Sequence, residues 1–140
     1  MKILLAVDGS AYSKKMLAYL TTHDAMFSAA NGYTVFTAQP ALPARARAAV
    51  GKEVVDSYYA EESEKVIAPV TKFLLRHGID AKSSLKVGPA WAMLAKLAED
   101  GKFDLVVIGS HGHGAWANLV MGSVATQVMA HCTVPVLMVR

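Results

Sequence analysis

The sequence predicts an α/β domain built on a doubly wound parallel sheet with helices on both faces. Five short segments rich in apolar or β-branched residues alternate with stretches of helical periodicity. Right-handed crossovers between parallel strands leave few topologies, and the doubly wound sheet is the commonest of them. With 140 residues, 54% apolar and 18% charged, the chain has the size and composition of a single domain with one continuous core. It is therefore read as one domain over residues 1–140.

The first strand is the run Lys2-Ile3-Leu4-Leu5-Ala6-Val7, ended by the turn Asp8-Gly9-Ser10. A helix follows, with Ser10 or Ser13 as its cap and a broken stripe of Leu17, Leu20 and Phe27. Gly32 precedes the second strand, Tyr33-Thr34-Val35-Phe36-Thr37-Ala38. Pro40 and Pro43 open an irregular stretch reaching about Lys52. The next helix runs to about His77, buries Val66, Val70, Phe73 and Leu74, and stops at Gly78. Pro69 should bend that helix or break it in two.

Residues 80–87 form a more polar third strand, which suggests a sheet edge. Pro89 suits the first turn of a helix carrying Trp91, Leu94 and Leu97. Asp104-Leu105-Val106-Val107-Ile108 is the most continuously apolar strand and is placed at the sheet centre. After a glycine-rich loop, a short helix begins near Gly122 with Val124, Val128 and Met129, and residues 134–139 form the last strand.

Composition narrows the function classes. No apolar run approaches the ~20 residues that cross a bilayer, and Met1-Lys2-Ile3 leads into a strand without a signal-peptide pattern, so a cytoplasmic location and no membrane partner are expected. The net charge of +3 comes from scattered lysines and arginines without interleaved aromatics, which argues against nucleic acid. Cys132 is alone, so no internal disulfide or paired-cysteine zinc site exists, and it reads as a small hydrophobe beside a strand.

The chemistry is concentrated in Gly109-Ser110-His111-Gly112-His113-Gly114 and in Gly122-Ser123-Val124. Glycines at a strand end let backbone N–H groups converge on a phosphate, and a helix start adds further donors and a positive dipole end. Ser123 can add a hydroxyl. Glycines that only make turns are the competing reading, and the better one for Gly114. Neither the Gly-x-x-x-x-Gly-Lys-Ser/Thr loop nor the dinucleotide Gly-x-Gly-x-x-Gly pattern is present; Gly51-Lys52 is followed by glutamate, and Gly112-His113-Gly114 by Ala115-Trp116-Ala117. His111 and His113, with no carboxylate or cysteine near them in sequence, make a poor metal site and are expected to face solvent. Arg45, Arg47 and Lys52 read as a solvated loop, with a lid over the phosphates as the alternative, and Trp91 and Trp116 as packing residues.

The spacing Gly109-x-x-Gly112, nine residues, then Gly122-Ser123 resembles that of the ATP-binding members of the universal stress protein family. The opening Ile3-Leu4-Leu5-Ala6-Val7-Asp8-Gly9-Ser10, the block from Leu105 to Gly112 and the closing strand extend the resemblance over the whole chain. It implies five parallel strands in the order 3-2-1-4-5, an adenine nucleotide α-hydrolase-like architecture, with an adenine nucleotide across the strands' C-terminal ends. By the same resemblance Ala6, Val7 and Asp8 line the adenosine side, the Asp8 carboxylate accepting from ribose or base. Capping of the first helix remains an alternative role for Asp8, and both can hold. Ala38 should meet adenine through its backbone, and Ile108 should pack near the ribose. Gly109, Gly112, Gly122, Ser123 and Val124 would supply the phosphate loop. The implied cofactor is ATP, or ADP or AMP, with any Mg2+ held by the phosphates.

Two functional classes follow: a nucleotide-dependent sensor or regulator of the stress response, or a slow ATPase or phosphotransferase. The loop offers no lysine and no base beyond His111, so at most slow hydrolysis is expected and no residue is assigned as catalytic. Adenylating pyrophosphatases of the same superfold carry Ser-Gly-Gly-x-Asp-Ser after the first strand, which Asp8-Gly9-Ser10-Ala11-Tyr12-Ser13 does not match. An electron-transfer flavoprotein would need an extra domain. The uncharged run Val136-Leu137-Met138-Val139 would form the sheet edge in that strand order, and together with the resemblance it suggests a homodimer through residues 134–139.

Overall fold

The computed structural model describes residues 1–112 and 121–140. Its strands are β1 (Lys2–Ala6), β2 (Gly32–Gln39), β3 (Lys82–Val87), β4 (Leu105–Gly109) and β5 (Val136–Val139). They form one sheet in the order β3-β2-β1-β4-β5, with every adjacent pair parallel. The helices are α1 (Ala11–Thr21), α2 (Ala44–Val50), α3 (Lys52–Arg76), α4 (Ala90–Asp100) and α5 (Ser123–His131).

Strand alternation sorts the apolar residues into two layers. Ile3, Leu5, Val35 and Val107 pack on one face with Met16, Leu20 of α1 and Ile67, Val70, Leu74 of α3. Leu4, Phe36, Val106 and Ile108 pack on the other with Leu94, Ala98 of α4 and Ala125, Val128 of α5. All five β4 residues are buried, so β4 is interior as its composition predicts, but the middle strand is β1. Both have two strand neighbours and helices on both faces, which is why both read as apolar runs. β3 is an edge and mostly exposed.

Other boundaries move for local reasons. α1 ends at Thr21, and Phe27, expected on its stripe, is only 1% exposed in the turn beyond it. The stretch after Pro43, expected to be irregular, contains α2, because Ala-Arg-Ala-Arg-Ala-Ala-Val is made almost wholly of strong helix formers. α3 is not broken at Pro69; it continues as one element of 25 residues. The missing N–H costs one rung, while buried Ile67, Val70 and Leu74 hold both sides of it against the sheet. At the end of α3, Gly78 takes φ +79. Ile79 N–H then donates to Leu74 C=O and Gly78 N–H to Leu75 C=O, each at 3.0 Å, the paired bonds of a Schellman stop. β5 begins at Val136, two residues later than expected.

Between α5 and β5, Thr133 donates through its N–H (2.7 Å) and its hydroxyl (2.5 Å) to Glu99 Oε1 at the end of α4. These bonds hold the Glu99 carboxyl below its ordinary pKa. Cys132 beside it is half-buried against the α4–α5 layer, and burial raises its thiol pKa, in keeping with a packing role. Among the described residues no helix is long and apolar enough to cross a membrane.

One polar group in the core lacks a partner. Ser63 of α3 is 2% exposed, and its hydroxyl makes no hydrogen bond among the described residues. An unpaired buried hydroxyl costs about 1–3 kcal/mol of desolvation, and alanine is the better helix former. Ser63→Ala should therefore raise the stability to urea by about 1 kcal/mol; a loss of stability on equilibrium unfolding would show that the hydroxyl is paired.

Candidate functional site

The site arises where β1 stops. The last bond from the β1 side to β2 runs from Val7 N–H to Phe36 C=O at 2.9 Å, after which the chain turns away through Asp8 and Gly9. In a parallel strand alternate residues turn both N–H and C=O to the same neighbour. Gly32 and Phe36 bond toward β1, while Gln39 accepts from Gly88 on the β3 side. Ala38 has the parity of Phe36, so its N–H and C=O point toward β1 at a level that β1 no longer reaches. One donor and one acceptor thus face a gap in the sheet.

That gap is the mouth of a cleft of about 430 Å3, within the range of small-molecule sites. Ala6, Val7 and Asp8 line it from β1, and Phe36 and Ala38 from β2. Ala90 and Leu94 of α4 form a further wall. Ile108 and Gly109 line it from the end of β4, Gly112 from the loop beyond, and Gly122, Ser123 and Val124 from the start of α5. The structure thus brings all ten residues singled out in the sequence to one cavity, from four separate stretches of the chain.

Asp8 fixes the departure of the chain from β1. Its Oδ1 accepts from Ser10 N–H and from the Ser13 hydroxyl, both at 2.9 Å, while its own N–H donates to Ser13 Oγ at 3.1 Å. Ser10 is the cap, accepting from Ser13 N–H at 3.4 Å. Asp8 therefore organises the start of α1 through Oδ1. Its Oδ2 looks across the cleft, where a Cβ added at Gly112 would lie 2.6 Å away. A side chain there would force the carboxylate, held through Oδ1, to turn.

The other two loop glycines have different tasks. A Cβ on Gly109 would stand 2.9 Å from Tyr12 Cβ and 3.0 Å from its carbonyl carbon, so this glycine lets the first turn of α1 press against the end of β4. Gly122 N–H donates to Ser110 C=O at 2.6 Å, and a Cβ there would crowd His111 Cα at 3.1 Å. This contact folds the start of α5 back onto the strand end and aims its first N–H groups at the cleft.

His111 departs from its expected solvent-facing place. It lines the cleft, its Nδ1 is 2.9 Å from Oγ of Ser110, and its ring lies 4.7 Å from that of Tyr12. Ser110 is 1% exposed. His111 was singled out in the sequence as the loop's one base but expected to face solvent; Ser110 was not singled out, since nothing in its local sequence separates it from other loop residues. Phe36 was legible in principle, being two residues before Ala38 on the same strand face. Trp91 packs against the α4–α5 layer with His131 at 4.7 Å. Arg45, Arg47 and Lys52 line no part of the cleft. His113, Gly114 and Trp116 lie outside the described residues.

The Asp8–Gly112 contact is testable without any ligand. Asp8→Ala should cost on the order of 1 kcal/mol through the lost bonds to Ser10 and Ser13. Gly112→Ala should destabilise the parent chain through the clash with Oδ2, and do so much less when Asp8 is already alanine. A double-mutant cycle in urea should show coupling above about 0.5 kcal/mol; additive effects would mean that the two residues do not meet.

Comparison with known proteins agrees with this fold. A sequence model described as the universal stress protein family matches residues 1–140. The universal stress protein Slr1230 of Synechocystis sp. is 30% identical over 139 residues, 99% of this chain but 42% of its own length. The chain thus spans less than half of that relative. Among solved structures, the universal stress protein UspA from Lactobacillus plantarum superposes with a TM-score of 0.79 at 18% identity, over 99% of this chain and 97% of that one. A universal stress protein from Archaeoglobus fulgidus in complex with dAMP gives 0.66 at 20% identity, over 100% and 98%. With the shared fold and a sequence match along its whole length, this chain belongs to the universal stress protein family.

Proposed function

We propose that this chain acts as a single universal stress protein domain that binds an adenine nucleotide (ATP, or its products ADP and AMP) in the cleft beyond β1. It serves as a cytoplasmic, nucleotide-dependent regulator in the stress response. The observation that carries the reading is Ala38, whose backbone donor and acceptor face the gap side by side, in the order that adenine's N1 and exocyclic amine require. Ala6, Val7 and Ile108 enclose the nucleoside, and Asp8 Oδ2 accepts from a ribose hydroxyl. Gly109, Gly112, Gly122, Ser123 and Val124 supply the phosphate loop: Gly112, Ser123 and Val124 direct backbone N–H groups and one hydroxyl at the phosphates, while Gly109 and Gly122, whose N–H is held by Ser110 C=O, shape the loop around them. The dAMP complex of the A. fulgidus family member supports adenine as the base.

The lining residues include no lysine or arginine, and residues 113–120 contain none either. Charge on a transferring phosphoryl group would be met by backbone dipoles and His111, which favours binding over turnover; any hydrolysis is slow. Among the described residues no three His, Cys, Asp or Glu side chains converge, so a Mg2+ ion would ride on the phosphate oxygens.

Ala38→Pro tests the reading directly. Proline removes the N–H that faces the gap and turns its ring carbon into that gap, while the groups of β2 that bond β3 stay in place. Affinity for ATP and AMP should fall about tenfold, the worth of one hydrogen bond, with the thermal transition retained. Unchanged affinity by calorimetric titration would remove the adenine contact. Chromatography of the supernatant from freshly purified, denatured protein should show a co-released adenine nucleotide.

The proposal includes a homodimer through residues 134–139. In β5 the carbonyls of Pro135 and Val139 accept from β4, so Val136 and Met138 turn their backbone groups to the open edge. Light scattering at micromolar concentration should give twice the single-chain mass, and Met138→Pro, which removes an edge N–H, should halve it. A wild-type mass of 14.9 kDa would overturn the dimer.

A further inference from the structure

A second cavity, of about 370 Å3, adjoins the first and shares Ala38 and Ala90 with it. Its other walls are Pro40 and Ala41, beyond the end of β2, and Gly88 and Pro89, in the turn from β3 to α4. None of these six side chains carries a polar group, and all of the walls lie on the C-terminal side of Ala38 or across from it. The space continues the cleft past its base-reading end.

The direction of β2 decides what would enter it. Within one residue the C=O lies further along the chain than the N–H. A base read by Ala38 therefore sets its ring acceptor against the N–H and its exocyclic amine against the C=O. The amine is thereby the adenine atom nearest Pro40, Ala41 and the second cavity. Of the amine's two hydrogens one is used by the Ala38 carbonyl, and the other position is open to substitution. A substituent there would meet only apolar walls.

Building on the adenine reading above, we propose that this site accepts adenine nucleotides carrying an apolar group on the exocyclic N6 amine, with that group seated between Pro40-Ala41 and Gly88-Pro89. The apolar lining favours alkyl or aryl groups and rejects charged ones, for which it offers no partner.

Calorimetric titration of the intact chain with AMP, N6-benzyl-AMP and N6-carboxymethyl-AMP tests this. N6-benzyl-AMP should bind about tenfold more tightly than AMP, the gain from removing roughly 55 Å2 of apolar surface from water. N6-carboxymethyl-AMP should bind more weakly than AMP. Ala41→Phe, an exposed loop position that lines only the second cavity, should abolish the benzyl gain and leave AMP affinity unchanged. Benzyl binding no tighter than that of AMP overturns the proposal, as does a gain that survives in Ala41→Phe, which would place the benzyl group elsewhere. Failure of AMP itself to bind would overturn the adenine reading on which this one rests; AMP binding with N6-benzyl-AMP rejected overturns this one alone.

Discussion

The early end of β1 is the constraint on which the rest of this structure depends. β1 gives up its last bond to β2 at Val7, while β2 continues to Gln39 and β4 to Gly109. Because the order is β2-β1-β4, the chain segments leaving β1 and β4 diverge, and a crevice opens at the switch point. An unpaired stretch beside a central strand would ordinarily be a defect, since backbone groups there have lost both water and partner. Here the Asp8, Ser10 and Ser13 network pins the departing chain, and Tyr12 backs against Gly109. The gap is thereby held open by the same contacts that begin α1.

The cleft is poor in fixed charge. Its walls are mainly Ala, Val, Ile, Phe and Leu side chains, and its polar content is the Asp8 carboxylate, a few hydroxyls, His111 and main-chain groups. Backbone donors cost no side-chain entropy to position and do not titrate, so a site built from them discriminates by shape and by donor-acceptor order. The bond from Gly122 N–H to Ser110 C=O makes the start of α5 part of the same rigid frame as β4.

The two edges of the sheet are treated differently. β3 presents exposed Lys82 and Lys86 along its length, charges of the sort that discourage pairing with another strand. β5 has none; its Val136, Leu137 and Met138 are half-buried against both core layers. α2 adds a third surface feature: a helix with no buried residue, formed on local propensity between Pro43 and a Gly51 at φ +85.

Short apolar or β-branched runs bounded by glycine or proline stops were enough to define the five strands and four of the helices; in β1 and β4 burial on both faces leaves the composition unambiguous, while β3 was legible as a more polar edge. The Gly78 stop and the glycines of the loop after β4 were equally legible, since each answers to a backbone requirement that a side chain would violate. α2 was obscured by flanking prolines, and Pro69 suggested a break that packing against the sheet prevents. The roles of individual site residues needed the tertiary structure. Gly109 is small because of Tyr12, Gly112 because of Asp8, and Gly122 because of Ser110 and His111, all contacts between segments distant in sequence or folded back on each other. Local sequence encodes which backbone shapes are possible; which neighbour occupies the space beside them is settled only when the strands take their order. For that reason the glycine pattern of the loop after β4 could be read from residues 109–123 alone. The gap facing Ala38 could not, because it exists only where a different strand has ended.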